Sequence, residues 1–339
     1  MSLPDTRSHA LAAAAPWLAT ARARIASAIA ERRLPHALLI RGQQGLGKAA
    51  LADFIARFAL CDRPGSGPCG ACPSCVLHEA GTHPDLRRVG LVEEKKQIAV
   101  DDIRDMITAL TLKSYRGGRK VAIIDPADAL NPYGANALLK TLEEPSAGAL
   151  LILTVARPER LPATVASRCQ RIAVLRPDAE RALAWLKALD AEIQWPGLLA
   201  LAAGAPVAAV ELARAGAIDL EKEMSEVPSL LAKPSTDLVA LAEHCQKRLP
   251  AERLRWMENW VTDRIRRGLL TASPGHSPGN PGLPSAARTR HIQGLYAILD
   301  QLRVAQAALR GPANVTMLWE QVLGMLAREL MTARADRTR

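Results

Sequence analysis

Residues 42–49, GQQGLGKA, constrain the fold more than any other part of the sequence. The apolar run at 37–40 comes directly before them, and a helical pattern starts at residue 50. A strand, a glycine-rich turn, a lysine and a helix in this order form a phosphate cradle, because backbone N–H groups of the turn and of the helix N-terminus point at the anion. The motif predicts a nucleotide site that includes Gly42, Gly45, Gly47 and Lys48.

The residue after the lysine departs from this P-loop motif. The motif places Ser or Thr there, because that hydroxyl coordinates Mg²⁺. This chain has Ala49, and a methyl group cannot bind a metal ion. The phosphate cradle is therefore predicted to be intact while one part of the catalytic machinery is missing.

Asp125 is a second candidate residue of the nucleotide site, at the end of the apolar run 121–125. In P-loop NTPases a carboxylate at such a strand end helps to hold Mg²⁺. Pro126 follows it, where active ATPases of this topology place the Glu that activates water, and Asp128 is not expected to replace that Glu because the proline changes the backbone. Taken alone, Asp125 is also explained as a carboxylate that caps the next turn. Next to a P-loop, it predicts the remnant of a nucleotide site.

Four cysteines in a Gly/Pro-rich stretch at 61–75 predict a metal site. Their thiolates suit tetrahedral Zn²⁺, whereas a disulfide is disfavoured because cytosolic thiols stay reduced. A redox-active C-x-x-C pair would leave two cysteines unexplained. A site with four Cys ligands has no open coordination position, so the predicted zinc is structural. The ligands are Cys61, Cys69, Cys72 and Cys75.

The order of patterns along the chain predicts an α/β domain followed by helices only. Apolar strands alternate with helices as far as residue 174, which indicates a parallel sheet with helices on both faces. Aromatic residues make up only 3% of the 339 residues, so we expect a core of Ala, Leu, Val and Ile and more helix than strand. The Pro/Gly-rich segment 273–284 is predicted to be an exposed, mobile loop.

The net charge of +10 and the pI of about 9.6 are compatible with a nucleic-acid partner. The basic residues are scattered, however, which favours an evenly charged surface over direct DNA binding by this chain alone. We find no apolar stretch long enough to span a bilayer and no signal-peptide pattern. The sequence predicts a cytoplasmic protein without a membrane partner.

Arg168 lies in the sequence Ser167-Arg168-Cys169, just before the last predicted strand. An arginine held at a turn on the edge of a sheet can reach the γ-phosphate bound by a neighbouring subunit. A surface ion pair is the commoner role of a single arginine. The sequence spacing alone therefore favours an ion pair over a contact with a neighbour's phosphate.

Several longer stretches resemble one family. LPHALLIRGQQGLGKAALA, the cysteine insert followed by HEAGTHPD, and NALLKTLEEPSAGALLILTVARPERLPATVASRCQRI are similar to the delta-prime family of clamp-loader subunits of bacterial DNA polymerase III. The resemblance covers essentially the whole chain. It implies a RecA-like AAA+ domain with the zinc module at 1–176, a small helical lid at 177–217 and a helical collar at 218–339 that assembles a hetero-oligomer.

The resemblance also implies a role without ATP hydrolysis. Family members project the arginine of Ser-Arg-Cys into the ATP site of an adjacent gamma/tau subunit, so Arg168 is predicted to act as a finger in trans. Val207 stands where active relatives have the lid arginine that senses the γ-phosphate, which adds a third departure to Ala49 and Pro126. The implied partners are gamma/tau and delta subunits, with the sliding clamp and primed DNA reached through the complex. ATP or ADP is allowed in the site but is not expected to be hydrolysed.

Two other functions stay open at this point. An active gamma/tau-like ATPase would need the Mg²⁺ ligand and catalytic base that the sequence lacks. A zinc-dependent nucleic-acid binder is disfavoured because Arg63 is the one basic residue between Cys61 and Cys75. Polymerase chemistry is not encoded here, so a DNA polymerase (nucleotidyltransferase) label would come only from membership in the holoenzyme.

Overall fold

The architecture comes from a computed structural model that describes residues 15–91, 97–270, 285–309 and 314–335. The loop predicted at 273–284 lies outside the described residues. Contacts divide the chain into two compact units. The first runs as far as Glu192 and includes Gly204–Glu211, and the second comprises Ile193–Ala203 and the chain from Leu212 onward. The division into three domains at 176 and 217 stays a prediction.

A five-stranded parallel sheet forms the centre of the first unit, in the order β2-β3-β4-β1-β5. β4 is buried along its whole length and β3 along all but its last residue, which explains their uninterrupted apolar sequences. Because every pairing is parallel, the carboxyl ends of all strands lie at one edge of the sheet. The strands are β1 Ala37–Arg41, β2 Leu86–Gly90, β3 Lys120–Asp125, β4 Ala149–Val155 and β5 Gln170–Ala173.

Helices cover both faces of this sheet, as the sequence predicts. The helices of the first unit are α1 Ala19–Ala30, α2 Lys48–Leu60, α3 Pro73–Glu79, α4 Val100–Thr111, α5 Pro132–Glu143, α6 Ala163–Ala166 and α7 Ala179–Leu189. Side chains alternate between the faces of a strand. Leu38 and Ile40 of β1 therefore join the core beneath α1 and α2, and Leu39 between them joins the core beneath α4 and α5. The predicted α/β sheet is confirmed.

The cap of α4 differs from what the sequence predicts. Asp is a favoured N-cap residue, so Asp101, ahead of an amphipathic pattern, predicts the cap of this helix. The cap position belongs instead to Ala99, which has no side-chain hydrogen bond to the helix. Asp101 lies in the first turn and pairs with Arg104 at 3.0 Å. A carboxylate in the first turn is stabilised by the positive end of the helix dipole as well as at the cap. The acidic residue Asp101 therefore indicates the amino end of α4 but does not identify its N-cap residue.

Helices are the regular secondary structure of the second unit in its described residues, as predicted. Its interior includes an almost fully buried cation, Arg253, whose Nη2 lies 2.5 Å from the Glu223 carboxylate and whose Nε donates to the Arg248 carbonyl at 2.9 Å. The later helices are α8 Trp195–Leu201, α9 Pro206–Arg214 (which continues from the first unit), α10 Leu220–Leu231, α11 Leu238–Lys247, α12 Pro250–Leu270, α13 Ser285–Ala308 and α14 Val315–Ala335.

Among the described helices, none is by itself long and apolar enough to cross a membrane. The short helices α8 and α9 meet the length and composition test only when they are taken together as a bent pair.

Candidate functional site

The P-loop connects the end of β1 to the start of α2 through backbone conformations that favour glycine. Gly45 and Gly47 have φ angles of 76° and 87°, in the left-handed region. A Cβ added at Gly45 would lie 2.3 Å from the Cβ of Ala208 at the start of α9. Glycine is therefore required here both by the turn and by the close approach of α9.

Other parts of the first unit hold the P-loop from outside. The Val207 N–H donates to the Gly45 carbonyl at 3.0 Å, and the Trp17 indole N–H donates to the Leu46 carbonyl at 2.9 Å. Trp17 in turn meets Trp185 edge to face, with ring centroids 5.1 Å apart. These contacts fix the carbonyl groups of Gly45 and Leu46. We call the Trp17 and Val207 contacts the P-loop brace.

Lys48 is buried at the start of α2, with 8% of its surface exposed. Its Nζ donates to the Gln43 carbonyl at 2.9 Å, so the ammonium also holds the loop that precedes it. Burial lowers the pKa of Lys48, while the negative charges of Asp125 and Asp128 act in the opposite direction. The lysine is therefore positioned at the cradle, close to two acidic groups.

A cavity of about 440 Å³ opens at this edge of the sheet. Gly45, Gly47, Lys48 and Asp125 all line it, so the structure brings together most of the residues predicted for the nucleotide site. Gly42 is not among the lining residues and lies directly after β1, where its N–H donates to the Val155 carbonyl at 3.2 Å. The role of Gly42, Gly45, Gly47, Lys48 and Asp125 in nucleotide binding stays a prediction. The three departures from an active ATPase line the same cavity: Ala49, Pro126 and Val207.

The carboxylates of the cavity are engaged by neighbouring side chains. The Thr154 hydroxyl near the end of β4 donates a hydrogen bond to Asp125. Asp128 is buried and accepts a hydrogen bond from Nε of Arg157 at 3.2 Å. Ala49 presents a methyl group to the same cavity, at the position where active P-loop proteins have the hydroxyl that coordinates Mg²⁺.

The sequence analysis missed three polar residues in or beside this cavity. Thr154 does not line the cavity but bonds Asp125, which does, and its place near the end of an otherwise apolar strand was an available signal. Arg157 and Glu211 line the cavity, but nothing in their local sequence marks them.

Arg168 lies at the opposite edge of the sheet from the P-loop. The loop follows the carboxyl end of β1, whereas Arg168 comes just before the amino end of β5, the strand that pairs in parallel with β1. At about 3.3 Å per residue, the two are separated by about 20 Å along the strands. The guanidinium pairs with Glu143 at 2.6 Å and donates to the Thr164 carbonyl at 2.9 Å, and 37% of the side chain is exposed. Arg168 is therefore not among the residues that line the cavity of its own chain, and both of its partners lie outside that cavity.

The four cysteines predicted as metal ligands form a single cluster, which we call the Cys cluster. All four sulfur atoms lie within 4.8 Å of one another. The Cys61 and Cys72 sulfurs are 3.9 Å apart, and those of Cys69 and Cys75 are 4.0 Å apart. These distances are too long for a disulfide, whose sulfurs are about 2.05 Å apart. They are close to the separation of about 3.8 Å that a tetrahedron with metal–sulfur bonds of about 2.3 Å requires. The cluster could hold a metal ion.

Backbone N–H groups organise the sulfurs of the Cys cluster. The Cys72 N–H donates to the Cys69 sulfur at 3.4 Å. Hydrogen bonds from the Ala71 and Cys72 N–H groups lower the pKa of the Cys69 thiol to about 6. Burial raises the pKa of Cys61 to about 12 and also raises that of Cys75. A cation at the centre would stabilise the thiolate forms that burial disfavours.

This sheet order, with a P-loop after β1 and a carboxylate at the end of β3, defines the fold of the AAA+ class of P-loop proteins. Residues 18–178 match the sequence profile of a family described as DNA polymerase III, delta subunit. DNA polymerase III subunit delta' of Pseudomonas aeruginosa is 38% identical over 71% of this chain and 74% of its own length. The delta' subunit of Yersinia pestis is 33% identical over 91% of this chain and 94% of its own. The chain belongs to the DNA polymerase III delta-prime family, which confirms the resemblance seen in the sequence.

The relationship extends to a second type of subunit. DNA polymerase III subunit tau of Escherichia coli is 34% identical over 158 residues, which are 46% of this chain and 24% of the tau chain.

Proposed function

We propose that this chain is the delta-prime subunit of a clamp loader, which works in the cytoplasm with gamma/tau and delta subunits to place a sliding clamp on primed DNA. In this role it hydrolyses no ATP itself. It supplies Arg168 to the nucleotide site of a neighbouring ATPase subunit. Membership in the delta-prime family and the similarity to tau support this assignment.

The observation that carries the proposal is the separation of Arg168 from the cavity. An arginine at the amino edge of the sheet cannot reach a phosphate held at the carboxyl edge of the same sheet, about 20 Å away. It can reach a phosphate held by an adjacent subunit, where it would stabilise the charge of the transition state. To do so, the guanidinium would exchange Glu143 for the phosphate. Both are anions that suit its planar set of donors.

The chain's own cavity supports binding without hydrolysis. Hydrolysis needs a bound Mg²⁺ and an oriented water, but Ala49 offers no hydroxyl and Pro126 replaces the activating Glu. The glycines and Lys48 remain, so ATP or ADP can occupy the cradle without being cleaved. The alternative, an active gamma/tau-like ATPase, lacks the groups that it would need.

A structural Zn²⁺ in the Cys cluster completes the proposal. Its support is the sulfur geometry, which matches tetrahedral coordination, and the set of four cysteines, which leaves no position for a substrate. Zinc would stabilise the loop between α2 and α3 and would take no part in ATP chemistry.

The decisive experiment compares two variants in a reconstituted clamp loader. Arg168→Ala should leave assembly with gamma/tau and delta intact, and should lower clamp- and DNA-stimulated ATP turnover at the neighbouring site at least about a hundredfold. Glu143→Gln removes the ion-pair partner of Arg168 but keeps the guanidinium, so turnover should stay near that of the wild type. Equal turnover with Arg168→Ala and the wild-type chain would refute the finger role.

A second measurement separates this proposal from the ATPase alternative. The purified chain should release no phosphate from ATP in the presence of Mg²⁺. Turnover that disappears in Lys48→Ala would show that the cavity is an active site after all.

A further inference from the structure

A groove lies beside the outer edge of the sheet, away from the nucleotide cavity. It has a volume of about 510 Å³ and runs between α1 and β5. Its apolar wall is aliphatic and comes from α1, β1 and the β5 segment. It includes Ala21, Ile25, Ala28, Leu38, Ile172 and Val174. We call it the β5 groove.

Within the described part of the chain, the edge of the sheet at this groove is open. β5 pairs with β1 on one side, and no strand among the described residues pairs with its other side. Just after β5, the Val174 N–H donates to the Arg41 carbonyl of β1 at 2.8 Å. Because successive N–H groups of a strand point in opposite directions, the N–H groups of Arg171 and Ala173 point to the open side. An open edge of this kind is a template for another strand.

The rim of the groove is strongly basic. Arg24, Arg171 and Arg181 are exposed there, and the described residues provide no ion-pair partner for any of them. Asp178 also lies on the rim, but its carboxylate is the N-cap of α7 and accepts the Arg181 N–H at 2.7 Å. The groove therefore combines an aliphatic wall, an open strand edge and several unpaired positive charges.

We propose that the β5 groove binds an extended acidic segment of a partner protein. The segment pairs with β5 as a sixth strand of the sheet, and its backbone bonds to the outward groups of Arg171 and Ala173. Alternate side chains enter the apolar groove, and acidic side chains between them reach the arginines of the rim. This interaction needs neither nucleotide nor Arg168, so it is independent of the function proposed above.

A peptide fits this groove better than single-stranded nucleic acid does. Proteins hold unpaired bases mainly by stacking them on aromatic faces. The aromatic residue of this groove, Trp17, is already engaged by the Leu46 carbonyl and by the ring of Trp185. An aliphatic wall and an open strand edge recognise apolar side chains and peptide groups instead.

The test uses a fluorescein-labelled octapeptide of alternating Glu and Val, titrated with the full chain and followed by fluorescence anisotropy. We expect saturable binding that weakens as salt is added. The same peptide with alternate backbone amides methylated should bind at least about tenfold more weakly, because it loses donors for the strand pairing. Equal affinity for the methylated peptide would overturn the strand-addition proposal.

Variants of the chain provide the second half of the test. Ala173→Pro removes an outward N–H without breaking a bond to β1 and should weaken binding about tenfold, whereas Ala173→Ser keeps the N–H and should bind like the wild type. The double variant Arg24→Glu/Arg171→Glu should also lose about tenfold in affinity. Thermal unfolding checks that each variant is folded.

Three further results would overturn the proposal. One is the absence of saturable peptide binding to the wild-type chain. Another is tighter binding of an oligothymidylate of the same charge that also depends on Arg24 and Arg171, which would make nucleic acid the ligand. A third is a dimer in sedimentation that the peptide dissociates, since the occupant would then be a second copy of this chain.

Discussion

Asp85 provides the sharpest test of how the first unit is held together. It lies just before β2 with 2% of its surface exposed, and its carboxylate accepts hydrogen bonds from the Ser114 hydroxyl at 2.9 Å and from the N–H groups of Tyr115 and Arg116 at 2.9 and 3.1 Å. Nζ of Lys120, which begins β3 and is also buried, lies 3.7 Å away. One carboxylate thus joins the start of β2 to the turn after α4 and to the start of β3.

The change Asp85→Asn keeps the shape of this side chain and removes its charge. Lys120 would be left buried without its counter-ion, and losing one partner of a buried ion pair costs about 3–5 kcal/mol. The amide also places an NH₂ group against one of the N–H donors. We therefore expect the free energy of unfolding of the first unit to fall by about 3–5 kcal/mol.

Urea unfolding, together with hydrogen exchange at the β2 and β3 amides, measures this loss. The matched control is the double variant Asp85→Asn/Lys120→Met, which also removes the uncompensated lysine charge. It should recover at least about 1 kcal/mol relative to Asp85→Asn, as a coupled pair requires. A loss below about 1 kcal/mol for Asp85→Asn, or a double variant no more stable than Asp85→Asn, would refute the reasoning.

The pH dependence of the same pair follows from its pKa. Burial would raise the pKa of Asp85, but the hydrogen bonds from Tyr115, Ser114 and Arg116 outweigh burial and hold it below its usual value. A carboxyl group whose pKa is lowered by folding stabilises the protein above its unfolded pKa of about 3.9, and that contribution disappears as the pH falls through the folded value. The stability difference between the wild type and Asp85→Asn should be constant near neutral pH and shrink below about pH 4.

Three further predictions concern the P-loop and the Cys cluster. Trp17→Phe removes the indole N–H of the P-loop brace, so it should lower the free energy of unfolding by about 1 kcal/mol and speed hydrogen exchange at the loop. Trp185→Phe keeps that N–H and should not speed exchange. Equal exchange rates in the two variants would contradict the brace. Ala49→Thr restores the missing hydroxyl but not the base that Pro126 replaces, so the purified chain should still release no phosphate. Cys72→Ser should abolish stoichiometric zinc in metal analysis and lower the melting temperature, while Cys169→Ser should retain the metal.

Local motifs carried most of the successful predictions. α2 begins at Lys48, close to the helical pattern predicted from residue 50, because the glycine-rich turn before the helix is visible in the sequence itself. The four cysteines meet because they lie on one short segment folded by N–H···S hydrogen bonds within it.

The contacts that the sequence analysis missed depend on which elements become neighbours in the fold. Thr154 bonds Asp125 across 29 positions of sequence, because β3 and β4 lie side by side with the ends of both strands at the same edge. The P-loop brace likewise joins Trp17 to Leu46, which are 29 positions apart in the sequence. No local pattern encodes such pairs, since each requires the folded positions of two separate elements.

The opposed positions of Arg168 and the P-loop also give the molecule a polarity. On the proposed role, a row of such domains has a direction, in which each member offers its arginine to one neighbour and its pocket to the other. A delta-prime subunit at the end of the row supplies its arginine to the last active ATP site, and its own inactive pocket adds no further active site. Exchanging an internal ATPase for a second such copy would remove one hydrolysis event per loading cycle and leave the number of arginines unchanged. Subunit composition would then set how many ATP molecules are hydrolysed for each clamp that is loaded.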